Sequence, residues 1–70
     1  MTTVTLVNID ATRTLEIVRE LRETLRQHAD FDYRFIQGGY DWETHEARLP
    51  KCEFRFYNPP DATAFSLKYL

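Results

Sequence analysis

The sequence predicts an α+β fold of the ferredoxin-like kind, in a βαββα order: a three-stranded antiparallel sheet, two helices on one face, and no fourth strand. Three observations carry that expectation. Three short segments alternate apolar and polar residues, one long segment repeats apolar residues at helical spacing, and the final dozen residues begin with a helix-start signal. At 70 residues the chain is expected to form a single domain, 1–70. A domain of this size buries roughly 60% of its unfolded surface, so its core is small.

The first strand is TTVTLVNI, Thr2 to Ile9, β-branched and apolar on both faces. Asp10 or Thr12 caps the helix that follows, whose apolar positions Leu15, Val18, Leu21, Leu25 and Ala29 step by three and four. Its other faces carry charges of both signs, the pattern of a solvated surface. FDYRFIQ (31–37) and KCEFRFY (51–57) alternate and are read as strands. Between them GGYDWETHEARLP is read as a long hairpin connection, with glycines that relax the backbone and a proline that discourages helix before it. Asn58 then caps a second helix with Pro59 in its first turn and Asp61 near the positive end of its dipole. A short strand over Lys68 to Leu70 is the alternative for the last residues. The expected pleat turns Val4, Leu6, Tyr33, Phe35, Phe54 and Phe56 toward the helices. It leaves Thr5, Val7, Arg34, Ile36, Arg55 and Tyr57 on the opposite face.

Composition narrows the function classes. The chain is 43% hydrophobic and 14% aromatic, too apolar for disorder, and its net charge of -2 lacks the basic footprint of a duplex-binding protein. One cysteine, Cys52, excludes an internal disulfide and a cysteine-based zinc site. No apolar run approaches the roughly 20 residues that span a bilayer, so no membrane partner is expected and a cytoplasmic location is.

Two resemblances add to this reading. The element order, with VTLVNI in the first strand and EFRFYN before PPDATAF, resembles a truncated RNA-recognition motif. That likeness implies an open sheet face on which Phe54 and Phe56 would stack on bases, although Thr5 stands at the first-strand aromatic position and Glu53 and Arg55 replace the small glycines. Base rates of aromatic burial place Phe54 and Phe56 in the core instead. The ending FRFYNPPDATAFSLKYL is similar to the C-termini of small tailed-bacteriophage proteins. This implies a phage origin, with the cytoplasm of an infected bacterium as its location.

The richest candidate surface is the connection that holds Tyr40, Asp41, Trp42, Glu43, His45 and Glu46. Tyr and Trp on a loop give large contact area at low entropic cost, and the acids beside them favour a basic partner. The competing reading folds Trp42 back as a lid on the core. The terminal helix, facing the sheet with Ala62, Phe65 and Tyr69, leaves Ala64, Leu67 and Leu70 outside it, and the first strand is an uncharged edge. Both features suggest a partner, either a second copy forming a homodimer or a target adding a strand. Arg34, Arg55 and Tyr57 on the open sheet face are the candidates for single-stranded nucleic acid.

His28, Asp30, Asp32 and His45 are ligand types, but their spacing matches no closed metal site, and no metal or cofactor is expected. His28 is read as a cation at a helix C-terminus. Cys52 beside Lys51 is read as a small buried hydrophobe rather than a reactive thiol, and no catalysis is expected. The functional expectation is a phage accessory module that binds and inhibits a bacterial host protein. The alternatives are a single-stranded nucleic-acid binder and a phage structural or assembly protein acting by self-association.

Overall fold

The computed structural model describes every residue from Met1 to Leu70. Strand β1 (Thr2–Val7) leads into helix α1 (Ala11–Arg22), then strands β2 (Phe31–Ile36), β3 (Gly39–Asp41), β4 (Glu46–Arg48) and β5 (Lys51–Phe56), and helix α2 (Pro59–Tyr69). β1, β5 and β2 form an antiparallel sheet in that order, and β3 and β4 form a separate two-stranded ribbon. The α+β class, the three-stranded antiparallel sheet and the two helices are as the sequence predicts. The five-element βαββα order is corrected to seven elements, because the long connection pairs with itself. Lys68 and Tyr69 complete α2, so no strand forms there.

One pleat organises the main sheet. Val4 lies opposite Phe54 and Leu6 opposite Cys52, while Phe31, Tyr33 and Phe35 of β2 lie opposite Phe56, Phe54 and Cys52. All eight side chains therefore share one face, and the buried members join Ile17 and Val18 of α1 and Ala62 and Phe65 of α2 in a single core cluster. Phe65 is the keystone of α2, its ring 4.8 Å from that of Phe54 and 5.0 Å from that of Phe56. The other face carries Thr3, Thr5, Arg34, Glu53 and Arg55 and is uncovered.

Helix α1 differs from expectation in face and length. Asp10 caps it, its Oδ1 accepting the N–H of Arg13 at 2.7 Å. The buried positions are Thr14, Ile17 and Val18, and Leu15 is exposed. Thr14 tolerates burial because its hydroxyl donates to the Asp10 carbonyl at 2.9 Å. The helix stops at Arg22, and the Asp30 carboxylate captures the Arg26 N–H at 2.9 Å in the turn beyond. Leu25 and Ala29 therefore lie outside it, although Leu25 still packs against the core. His28 is likewise off the helix. With φ at 70° it points Nδ1 at Asp32 Oδ1, 2.7 Å away, so its partner is a carboxylate and not a helix dipole.

The two helices are clamped at their surface. The Tyr69 hydroxyl donates to the Glu20 carboxylate, and Lys68 Nζ lies 3.6 Å from the same group. Burial, and then the bond to Glu20, push the Tyr69 hydroxyl up from 10.0 to about 12. The same bond, aided by Lys68, holds the Glu20 carboxyl below its ordinary 4.5.

Two consequences can be measured. Phe54→Ala should cost about 3 to 5 kcal/mol in urea unfolding, which a core of this size cannot absorb. For the clamp, the neutral Tyr69 is favoured by folding, so its stabilisation is complete below 10.0 and is lost as pH rises toward 12. The ionised Glu20 is favoured by folding, so its part is present above 4.5 and is lost as pH falls below it. Thermal melts across pH should show Tyr69→Phe with a flatter alkaline limb than the parent and Glu20→Gln with a flatter acid limb.

Candidate functional site

The ribbon of β3 and β4 leaves the sheet where β2 ends and β5 begins. Its root is fixed by backbone crowding: a Cβ on Gly38 would meet the Arg48 carbonyl oxygen at 2.6 Å and Pro50 at 2.9 Å, so only glycine fits. Pro50 also accepts a hydrogen bond at 3.2 Å from the N–H of Ile9, which ties the root to the end of β1. Gly39, Tyr40 and Asp41 pair with Arg48, Ala47 and Glu46.

The turn is built by its own side chains. Asp41 Oδ1 accepts the N–H of Glu43 at 3.0 Å and of Thr44 at 3.4 Å, and its Oδ2 lies 3.4 Å from Arg48. His45 takes φ of 58°, the left-handed conformation that returns the chain to β4. Its Nδ1 is 3.2 Å from the Tyr40 hydroxyl. The Tyr40 and Trp42 rings meet edge to face at 4.8 Å.

Trp42 nonetheless stands 80% exposed and Tyr40 48% exposed. The lid reading is thereby overturned: Trp42 covers no part of the core, and its one aromatic neighbour is Tyr40. The ribbon lengthens the molecule to 42 × 21 × 21 Å. Tyr40, Asp41, Trp42 and Glu43 border a shallow hollow of about 520 Å³ with Gln37, Gly38 and Arg48. Tyr40, Asp41, Trp42, Glu43 and His45 all lie on this ribbon and its turn. The structure adds Arg48 and Gly38, which sequence reasoning missed, though the paired glycines marked the place.

Leu67, near the end of α2, and Leu70, its C-cap, are 83% and 75% exposed, and neither borders the hollow beside Trp42. Arg34, Arg55 and Tyr57 each stand beside an acidic residue. Arg34 lies opposite Glu53 and Arg55 opposite Asp32, while the Tyr57 hydroxyl donates to Asp32 at 3.0 Å. Phe54 and Phe56 are fully buried, so the base-stacking role implied by the RNA-recognition motif is corrected to a core role.

Cys52 is fully buried, and burial pushes its thiol up to about 11, which keeps it protonated near neutral pH. No group of three or more His, Cys, Asp or Glu side chains is placed to hold a metal ion, and no helix is long and apolar enough to cross a membrane. Compared with known proteins, the chain matches no family model, no curated protein and no solved structure.

Trp42 is the single tryptophan, so its fluorescence reports the ribbon tip alone. Its emission in the folded protein should already be that of a hydrated indole, freely quenched by iodide and acrylamide, and global unfolding in urea should shift it little. A blue-shifted, protected emission in the folded state would contradict the exposed tip.

Proposed function

We propose that the chain is a non-catalytic protein-binding module that engages a basic partner surface through the β3–β4 ribbon. The observation that carries this reading is the pairing of exposure with order: Trp42 is 80% exposed, yet its turn is held by the Asp41 carboxylate and its ring rests against Tyr40. An aromatic already fixed in place loses little freedom on binding, and large exposed aromatics are the residues most often found at interface hot spots. Asp41, Glu43 and Glu46 surround it against the single cation of Arg48, a balance that favours a positively charged partner.

The main sheet supports this use. We read β1 and β2, both alongside β5 and joined through α1, as the split core of a ferredoxin-like fold with the ribbon inserted in its β2–β5 connection. Both ends of the ribbon are then anchored in paired strands. The likeness of the C-terminal segment to tailed-phage proteins suggests a bacterial host protein as the partner, inhibited by occupancy of the surface that the ribbon covers.

Immobilised protein should retain a stoichiometric host protein from a nuclease-treated bacterial lysate. Trp42→Ala should lose it, with affinity weakened by about 2 kcal/mol or more while the melting temperature holds. Retention by Trp42→Ala would remove the ribbon from the proposal. Release of all bound material by nuclease would instead favour a nucleic-acid surface at Arg34, Arg55 and Tyr57.

A further inference from the structure

We propose that the hollow between α1 and α2 is a binding site for a small amphipathic organic cation, an ammonium or amidinium group carried on an apolar body. The hollow has a volume of about 380 Å³, within the range of small-molecule sites, roughly 300 to 1,000 Å³. It lies in the helical layer, and no residue of the β3–β4 ribbon lines it. The proposal therefore stands apart from the reading of Trp42.

The lining joins two kinds of surface. Leu21 of α1 and Leu25 of the turn beyond it meet Ala64 and Phe65 of α2. Phe65 is held by the rings of Phe54 and Phe56, and both leucines pack against the core, so this apolar wall is fixed by the contacts that hold the fold. Ala64 is exposed and contributes only a methyl group. The polar part of the lining is made by Glu20, Glu23 and Asp61, with Lys68 as its one base.

Charge chooses the sign of the ligand. Lys68 is answered within the protein, its Nζ 3.6 Å from Glu20 and 5.3 Å from the centre of the Tyr69 ring. Glu20 is in turn engaged by the Tyr69 hydroxyl. Glu23 and Asp61 have no cationic partner. The Glu23 carboxylate takes part in no hydrogen bond or ion pair, and Asp61 Oδ2 meets only the neutral Asn58 amide, at 3.4 Å. Arg19, Arg22 and Arg26 are near Glu23 in sequence, but none of them lines the hollow. Glu23 is also the C-cap of α1, where the last carbonyls form the negative end of the helix. A positive charge is complemented here and a carboxylate is opposed.

The same lining decides against a bare ion. A metal needs its oxygen ligands gathered on one point, and the acidic side chains are not so gathered. A hydrated inorganic cation would leave Leu21, Leu25 and Phe65 uncovered, whereas an organic cation removes apolar surface from water and sets its charged end against a carboxylate.

Amide chemical shifts of the full chain, titrated with phenethylammonium, test this against two related probes at equal ionic strength. Phenylacetate keeps the ring and reverses the charge; ethylammonium keeps the charge and lacks the ring. Phenethylammonium should move Leu21, Thr24, Leu25, Ala64 and Phe65 along saturable curves, and the other two should bind more weakly by about fivefold or more. Glu23→Gln should weaken the probe by about twofold to fivefold, the size of an exposed charge pair. Ala64→Phe, which fills the hollow from an exposed position, should abolish saturation while circular dichroism stays that of the parent. Shifts that do not saturate, equal binding of phenylacetate, or binding indifferent to both substitutions would overturn the site. Shifts centred on Tyr40 and Trp42 would overturn it as well and move the cation to the ribbon.

Discussion

The rest of this structure depends on the pleat of β5. It is the one strand paired on both sides, and its three apolar residues, Cys52, Phe54 and Phe56, are wholly buried. Lys51, Glu53 and Arg55 alternate with them on the open face. A slip of one residue in register would drive those charges into the core, at a cost far beyond the stability of a small domain. The alternation thus fixes β5, and β5 fixes which face of β1 and β2 turns inward. Phe65 then finds its place between the rings of Phe54 and Phe56, which sets the line of α2.

The ribbon follows from the same constraint. Because β2 and β5 are adjacent and in register to Ile36 and Lys51, the chain between them must leave and return at one end of the sheet. The contact of Gly38 with the Arg48 carbonyl and Pro50 closes that exit. What projects beyond it has no core to fold onto, so its order comes from within: the Asp41 turn, the paired backbone, and the contact of Tyr40 with Trp42. The result is a projecting set of side chains with a hydrogen-bonded root and a solvated tip.

The sheet was legible in the sequence because a period of two leaves a plain trace, and the inward set Val4, Leu6, Tyr33, Phe35, Phe54 and Phe56 follows from it. Helix α1 was legible in kind but not in phase. Leu15 suggested one face, while Thr14 is the residue buried, its hydroxyl satisfied by the turn before it. That bond depends on where the helix begins. Strands of three residues carry no readable alternation, so β3 and β4 could only be seen as a connection. Whether Trp42 packed or projected was equally beyond local pattern, since residue type says nothing of which way a loop turns. His28 belongs to the same class: its partner Asp32 is near in sequence, but the pairing rests on a left-handed residue outside the helix.

What the chain leaves exposed is as informative as what it buries. An aromatic side chain can bury about 150 to 250 Å². At about 25 cal/mol per Å², folding Trp42 onto the core would add a few kcal/mol to a stability that for domains of this kind is only about 5 to 15 kcal/mol. With 12 of 70 residues buried, this core is small enough to gain from such a lid. The structure instead keeps Trp42 in solvent and orders the residues around it. Leu67 and Leu70 are apolar groups left exposed in the same way. An unsupported, disordered tryptophan would be a passive consequence of a loop too short to reach the core. A tryptophan held in place by an aspartate turn and a tyrosine ring is ordered by local contacts instead, with most of its indole still open to solvent.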